Sequence, residues 1–336
     1  MTIAALTTEE LAGQRLMVGI EGTTVDAHTA ALLQTLKAGG VILFSRNIAD
    51  PAQLATLCRA LQDCARSCGL PPLLIAIDQE GGRVARLKAP FAVFPAPATW
   101  SGTAAAQGFG ATSARDLQSV GINMDMAPVL DVLPTQGPSI MGDRCFGDDP
   151  RQVGRMGRAV VKSLQQGGIM AVGKHFPGIG RTLIDSHLDL PVADFTLSEL
   201  ESVDLVPFAA AIGAGVAGIM LSHILYRQLD HEFPASLSIF IARDLLRRAM
   251  GFDGLVLTDD LDMGAVKGRY DLETIAGQIL AAEVDIALVC HSRPAMETLH
   301  AIFCRRLDGD AGQRQQAIAA VQRILSFKRR FLGHGA

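Results

Sequence analysis

Eight short runs of consecutive apolar residues recur along the whole chain, and they constrain its fold more than any other feature. The runs cover residues 15–22, 39–47, 73–82, 122–132, 169–178, 216–225, 254–264 and 284–292. Their apolar residues occupy consecutive positions instead of alternating ones, which is typical of strands buried on both faces of a parallel sheet. Parallel neighbours need long crossover connections, usually helical. We therefore predict an α/β fold, a (β/α)8 TIM-type barrel.

The segments between the runs have helical spacing. Residues 51–68, 151–166 and 236–250 place apolar side chains three and four positions apart, and each segment begins near Asp, Pro or Ser. A C-terminal amphipathic helix is predicted over about residues 311–332, packed on the outside. Because the chain shows neither an internal repeat nor a linker, we predict a single domain over residues 1–336.

Charge and hydropathy exclude two classes of partner. The chain carries 30 basic and 34 acidic residues, a net charge of −4, without a basic block that could neutralise a row of phosphates. Its most apolar segment, residues 205–221, is interrupted by one proline and three glycines and is short for a membrane span. The N-terminus lacks the pattern of a signal peptide, and the six cysteines form no CxxC pair. We expect a cytoplasmic protein without nucleic-acid or membrane partners.

Polar residues follow six of the eight runs, at the points where the predicted strands end. They are Ser45 to Asn47, Asp78 to Glu80, Lys174 with His175, Ser222 with His223, Asp259 with Asp260, and His291. In a barrel of this type, the C-terminal ends of the strands share one mouth, where active sites lie. We therefore predict an active site at this end of the barrel.

The stretch from Lys174 to Pro191 begins at one of these strand ends. Lys174 and His175 are expected at the mouth, and the glycines and proline of residues 177–180 predict a flexible loop after them. Asp185 and His187 lie two positions apart, so the carboxylate can accept a hydrogen bond from the imidazole and raise its basicity. The alternative for this pair is a turn with an exposed histidine.

Two further stretches place carboxylates or arginines at the mouth. Asp259 ends a buried strand and could be a nucleophile, a metal ligand or a hydroxyl acceptor, whereas Asp260 or Asp262 could instead cap the next helix. Asp78 ends another strand, and Arg86 follows a two-glycine turn. Carboxylates with arginine suit recognition of sugar hydroxyls or of an anionic group, although a surface salt bridge is the alternative.

Seven stretches, taken together and in their order, resemble glycoside hydrolase family 3, and within it the single-domain β-N-acetylglucosaminidases. The resemblance covers nearly the whole chain. Its diagnostic part is KHFPG at residues 174–178 followed by DSH at residues 185–187. The stretches are residues 77–87, 121–132, 141–150, 173–191, 218–224, 233–238 and 251–265.

The resemblance implies roles for eight residues. Asp259 would be the catalytic nucleophile, and His187, oriented by Asp185, the general acid and base. Five more would hold the terminal N-acetylglucosamine: Asp78, Arg86, Arg144, Lys174 and His175. It also implies that the reaction needs no metal or organic cofactor. Two positions depart from the commonest family pattern, KHFPGHGDT: Ile179 replaces a histidine, and Arg181 replaces an aspartate or small residue.

The activity implied is that of a retaining exo-β-N-acetylglucosaminidase acting by double displacement through a glycosyl-aspartate. From the expected location, its substrates would be peptidoglycan fragments, N-acetylglucosamine on 1,6-anhydro-N-acetylmuramic acid with or without peptide, in cell-wall recycling. The partner is thus a small carbohydrate, and we expect a monomer.

Four alternatives remain open from the sequence. Two belong to the same chemistry: a β-N-acetylglucosaminide phosphorylase that uses phosphate in place of water, and a broader β-glucosidase. A third is a metal-dependent barrel hydrolase, although the chain has no HxH or HExxH spacing. The last is a sugar-binding protein on a decayed barrel, suggested by Ile179 and Arg181. The ligands of the metal-dependent alternative would be Asp78, His175, His223 and Asp259.

Overall fold

The computed structural model describes residues 6–182 and 190–333. Eight parallel strands close into a barrel in which every strand pairs with its neighbours in the sequence, β1 closing on β8. Each of the eight apolar runs contains one strand, so the predicted (β/α)8 barrel is confirmed. The strands are β1 (Leu16–Gly19), β2 (Gly40–Leu43), β3 (Leu74–Ile77), β4 (Met124–Asp125), β5 (Met170–Phe176), β6 (Gly218–Leu221), β7 (Leu255–Asp260) and β8 (Ile286–Val289).

Helices connect successive strands on the outside of the barrel. They are α1 (Thr8–Gly13), α2 (Ala27–Leu36), α3 (Pro51–Ser67), α4 (Gly102–Ser119), α5 (Pro150–Gln166), α6 (Leu197–Ser202), α7 (Leu205–Ile212), a π-type helix (Phe240–Ala249), α8 (Leu272–Ala281), α9 (Arg293–Gly309) and α10 (Ala311–Leu332). Side-chain caps fix several helix starts, including those of α3 at Asp50, α5 at Asp149 and α8 at Asp271. None of the described helices is both long and apolar enough to cross a membrane.

Two small sheets lie in the loops that follow strands. Gln79–Gly81 and Val84–Ala85 form an antiparallel hairpin directly after β3. Val192–Ala193 pairs in parallel with Leu225–Tyr226, which lies just beyond β6. The hairpin matters for the site because it sets the positions of the polar residues that follow Asp78.

The last helix, α10, closes the N-terminal end of the barrel. Ile324 belongs to the cluster of inward-facing strand side chains, and Phe327 and Phe331 pack against that cluster. An adjoining face of α10 packs into the larger hydrophobic core through Val321 and Leu325. Five methionines, which adapt to irregular gaps, help to fill the barrel interior. They are Met17, Met124, Met126, Met170 and Met220.

The same end of the barrel also holds buried charged groups. Lys328 of α10 is 1% exposed, and its Nζ donates to Gln14 Oε1 at 2.8 Å. Burial lowers the pKa of Lys328 to about 7. Asp285, fully buried just before β8, pairs with Arg247 and, at 2.9 Å, with Arg323. These contacts stabilise the closed end, remote from the mouth.

Candidate active site

A cavity of about 350 Å³ opens at the C-terminal ends of the strands. This is the end at which the sequence places its polar residues, and the cavity size lies within the usual range for small-molecule sites. Apolar side chains such as Met220 and Leu288 contribute to its wall. Its polar lining comes from the ends of β3, β5, β7 and β8 and from nearby loops: Asp78, Glu80, Arg83, Arg86, Arg144, Lys174, His175, Asp259, Asp260 and His291.

Five of these side chains form a continuous set of ion pairs, here called the charge network: Arg86, Asp78, Lys174, Glu80 and Arg144. Lys174 Nζ lies 2.7 Å from Asp78 Oδ1 and 2.7 Å from Glu80 Oε1. Arg86 Nη2 donates to Asp78 Oδ2 at 3.0 Å. Arg144 donates to both carboxylate oxygens of Glu80, at 2.7 and 2.8 Å. The network thus brings together four of the residues predicted to hold the sugar.

The partners keep the charge network ionised in spite of its burial. Burial by itself would raise the pKa values of Asp78 and Glu80, but the charges of Lys174 and the arginines outweigh it and lower both. Burial would likewise lower the pKa of Lys174, and the two carboxylates raise it instead. The cavity therefore presents fixed charges whose orientation is set before any ligand binds.

Glu80 is the member of the network that the sequence analysis did not assign to the site. Its side chain is only 1% exposed and contacts both Lys174 and Arg144. The available signal was its position two residues after Asp78, because alternate residues of an extended segment face the same side. The sequence does not indicate which cations pair with Glu80, because Lys174 and Arg144 lie far from it along the chain.

His175 is oriented by a buried carboxylate from another strand end. Its Nδ1 lies 2.8 Å from Oδ2 of Asp131, which is fully buried after β4. Asp131 Oδ1 also accepts from the backbone N–H of Ile179 at 2.7 Å and from that of His175 at 3.3 Å. Asp131 lies in the resembling stretch 121–132 but was not singled out as a site residue.

On β7, the structure separates the two adjacent carboxylates by their contacts. Asp260 Oδ1 accepts from the backbone N–H groups of Cys290 and Asp262, each at 3.0 Å, and burial raises its pKa. Asp259 lines the cavity, and its Oδ1 accepts a hydrogen bond from the backbone N–H of Asp260 at 2.8 Å. Neither Asp260 nor Asp262 caps the next helix, because that cap is Asp271. Among the described residues, Asp259 therefore accepts fewer hydrogen bonds than Asp260 does.

His223, which the sequence places at the end of β6, is hydrogen-bonded to the backbone of β7 next to Asp259. Its Nε2 lies 2.9 Å from the Asp260 carbonyl oxygen, and its Nδ1 lies 2.7 Å from Ser236 Oγ. A carbonyl only accepts, so Nε2 carries the proton and the Ser236 hydroxyl donates to Nδ1. Burial lowers the pKa of His223, which keeps the ring neutral.

Within the described part of the chain, no three His, Cys, Asp or Glu side chains are arranged to hold a metal ion. Both ring nitrogens of His223 are engaged as described, so this histidine has no ring nitrogen left for a metal ion. The described residues therefore give no support to the metal-dependent alternative, whose ligands would have included His223.

The glycines after β5 serve close packing. A Cβ on Gly180 would lie 2.1 Å from the carbonyl oxygen of Val132, and Ser139 Oγ donates to the Gly180 carbonyl at 2.6 Å. Tyr226 donates its hydroxyl to the Gly178 carbonyl at 2.7 Å. Residues 178–180 are thus tied to neighbouring segments by these contacts, and the expected flexibility of the loop stays a prediction.

The two positions that depart from the family pattern are also well packed. Ile179 is 5% exposed in the core. Arg181 forms an ion pair with Asp204, and its guanidinium lies 3.8 Å from the ring centroid of Phe195. Burial outweighs this pairing and raises the pKa of Asp204 to about 6. Ile179 also lines the cavity, so this departure contributes an apolar side chain to its wall.

The proposed acid/base pair, Asp185 and His187, lies outside the described residues. The other six predicted site residues all line the one cavity: Asp78, Arg86, Arg144, Lys174, His175 and Asp259.

Comparison with known proteins places this arrangement in a family. Residues 7–327 match the glycosyl hydrolase family 3 N-terminal domain. A β-hexosaminidase of Xylella fastidiosa (strain M23) is 37% identical over 309 residues, which are 87% of this chain and 88% of that protein.

Solved structures agree with this match. A glycoside hydrolase family 3 β-N-acetylglucosaminidase from Paenibacillus sp. str. FPU-7 superposes with a TM-score of 0.94 at 34% identity, covering 98% of this chain. This chain spans 63% of the length of that protein. NagZ from Neisseria gonorrhoeae, in complex with N-trifluoroacetyl-D-glucosamine, superposes with a TM-score of 0.77 at 31% identity, covering 95% of this chain and 96% of that one. From its sequence match and its barrel, the chain belongs to glycosyl hydrolase family 3, a family of glycoside hydrolases.

Proposed function

We propose that this protein is a retaining exo-β-N-acetylglucosaminidase, a β-hexosaminidase that removes terminal N-acetylglucosamine. One observation carries the proposal: Asp259 lines the cavity shared with the charge network, while the neighbouring carboxylate Asp260 is bound to backbone N–H groups. Retaining hydrolysis requires such a free carboxylate beside the sugar-binding groups, where it can attack the anomeric carbon. The names of the relatives, β-hexosaminidase and β-N-acetylglucosaminidase, agree with this chemistry.

The charge network would hold the sugar through its hydroxyl groups. Asp78 offers carboxylate oxygens as acceptors, and Arg86, Arg144 and Lys174 offer N–H donors, all from side chains already fixed by one another. Fixed donors and acceptors bind a hydroxyl-rich ring without the entropic cost of ordering them on binding. His175 contributes a further ring nitrogen to the same cavity.

In the proposed reaction, Asp259 attacks the anomeric carbon as the glycosidic bond breaks, giving a glycosyl-aspartate. His187, oriented by Asp185, protonates the leaving oxygen and then takes a proton from the water that releases the sugar. The support for these two roles is the DSH motif within the family pattern. With water as acceptor the product is N-acetylglucosamine with the β configuration.

The proposed natural substrates are peptidoglycan fragments that carry N-acetylglucosamine on 1,6-anhydro-N-acetylmuramic acid, with or without peptide. The protein would act as a monomer in the cytoplasm, in cell-wall recycling. The similarity to NagZ from Neisseria gonorrhoeae, solved with an N-acylated glucosamine, supports a substrate with a 2-acylamino sugar.

The activity is tested by comparing nitrophenyl β-N-acetylglucosaminide with nitrophenyl β-glucoside. A kcat/KM that favours the N-acetylated substrate supports the proposal, and the reverse preference would assign a broader β-glucosidase. Products are then compared by NMR in phosphate and in a non-nucleophilic buffer of equal ionic strength. Free β-N-acetylglucosamine in both buffers is expected, whereas the 1-phosphate, with a rate that rises with phosphate, would assign a phosphorylase.

A further inference from the structure

We infer that Asp131 is a positioning residue for the sugar site: it fixes the tautomer of His175 so that Nε2 accepts a hydrogen bond from a substrate hydroxyl. The inference rests on the proposed function, because it concerns how His175 meets the sugar. It adds a residue to the site that neither lines the cavity nor was assigned from the sequence.

Asp131 is a buried carboxylate whose hydrogen-bond donors include neither a lysine nor an arginine side chain. Its side chain is 0% exposed, and its acceptor bonds go to one imidazole and to two backbone N–H groups. The two N–H groups belong to His175 and Ile179, so one carboxylate holds the end of β5 on both sides of residues 176–178. His175 can therefore neither shift nor rotate without breaking these bonds.

The tautomer follows from the chemistry of the two partners. An ionised carboxylate has no proton to donate, so the short contact of 2.8 Å requires the proton on Nδ1 of His175. In the neutral ring, Nε2 then carries a lone pair. His175 lines the cavity and Asp131 does not, so Nε2 is the ring nitrogen that remains for a ligand.

An acceptor at this position complements the charge network. Lys174, Arg86 and Arg144 all supply donors, and the oxygens of Asp78 and Glu80 are shared with these cations. A sugar hydroxyl that accepts a bond from a cation needs a separate acceptor for its own proton. Nε2 of His175 would supply that acceptor, and Asp131 would keep it available.

The first test needs no substrate. Nitrogen-15 NMR of histidine-labelled protein, with the His175 signals identified by their loss in His175→Gln, reports which ring nitrogen carries the proton. We expect a protonated Nδ1 and an unprotonated Nε2. A proton on Nε2, in the neutral ring or in the imidazolium, would overturn the inference even if the protein hydrolyses N-acetylglucosaminides. Conversely, the spectrum stands if the proposed activity fails.

The second test is Asp131→Asn, which keeps the side-chain shape. The amide can still accept from Ile179 N, but its NH2 group donates to Nδ1 of His175 and moves the ring proton to Nε2. We expect KM for the nitrophenyl N-acetylglucosaminide to rise by about 10- to 100-fold, the range seen when carboxylates that orient metal-bound histidines are removed. A smaller change is expected in kcat, because the lost contact binds ground state and transition state alike.

A double-mutant cycle separates this role from a structural one. In the His175→Gln background, Asp131→Asn should add little to KM, because the ring that it positions is gone. The same factor in both backgrounds would show that Asp131 acts by another route and would overturn the inference. Asp285→Asn is the matched control: that carboxylate is as fully buried, at the opposite end of the barrel, so its loss should lower stability and leave KM unchanged.

Discussion

Lys174 and Glu80 form a buried ion pair, with Nζ and Oε1 2.7 Å apart and side chains 3% and 1% exposed. One comes from β5 and the other from the hairpin after β3. Because Lys174 also contacts Asp78, and Glu80 also contacts Arg144, the pair joins the two halves of the charge network. The ion pairs that arrange the site therefore also hold separate elements of the fold together.

Glu80→Gln should therefore reduce both stability and substrate binding. Removing one charge of a buried pair leaves its partners uncompensated, and we expect a loss of about 3 kcal/mol in the free energy of unfolding, with a higher KM. Urea unfolding and steady-state kinetics measure the two effects. Asp143→Asn, which breaks the exposed pair with Arg83, is the control and should cost less than about 1 kcal/mol. Equal losses in the two variants would contradict the network.

Asp259→Asn should lower kcat by several orders of magnitude, because the amide cannot form the glycosyl ester. In the unchanged protein, a 2-fluoro or 5-fluoro glycoside should leave a sugar on the peptide that contains Asp259. Mass spectrometry locates the adduct, and an adduct on a different residue would refute the assignment. Asp262→Asn serves as the control, because this carboxylate binds the backbone of His291 and Ser292 and should leave the labelling intact.

His187→Ala should slow substrates with poor leaving groups far more than those with activated phenols, which depart with little protonation. Comparing kcat/KM for an alkyl and a nitrophenyl N-acetylglucosaminide measures the difference. Asp185→Ala should show a weaker version of the same pattern. If both substrates lose the same factor, His187 acts in binding or folding and another group is the acid.

Lys328 should make stability depend on pH in the alkaline range. Burial lowers its pKa in the folded state to about 7 from the ordinary value of 10.5. Between these values the unfolded chain binds more protons than the folded chain, so this residue makes the free energy of unfolding rise with pH, by at most about 1.4 kcal/mol per unit. Below about pH 7 both states are protonated and the cost of burying the charge is fully present.

The measurement for Lys328 is urea unfolding from pH 6 to pH 10, with Lys328→Met as the variant. The unchanged protein should gain stability relative to this variant as pH rises. The exposed Lys162 of α5 provides the control, since Lys162→Met should leave the pH dependence of the unchanged protein intact. Parallel curves for Lys328→Met and the unchanged protein would show that Lys328 stays protonated in the fold.

Gly180→Ala should destabilise the protein, since the added Cβ would lie 2.1 Å from the Val132 carbonyl oxygen and the backbone must move. Gly108→Ala is the contrasting change: this glycine lies within α4 with no atom within 4 Å of an added Cβ, so we expect a gain of about 0.5–1 kcal/mol. Thermal unfolding compares the two. Equal melting temperatures for Gly180→Ala and the unchanged protein would refute the close packing.

The amino-acid sequence by itself determined the barrel and the end at which its site lies. Apolar runs and helical spacing are local properties, and polar residues such as Asp78, Lys174 and Asp259 could be placed at the mouth because each follows directly from the end of its own strand. The family pattern then proposed their roles.

Only the tertiary structure decided how these residues are paired. The partners of Glu80, the buried bond from His175 to Asp131 and the backbone contacts of Asp260 all involve groups that come from different strands or loops. The closure of the barrel end by α10 depends in the same way on the inward faces of several strands. Periodicity along the chain does not predict these contacts between strands, because they form only when the strands pair in register and close into a barrel.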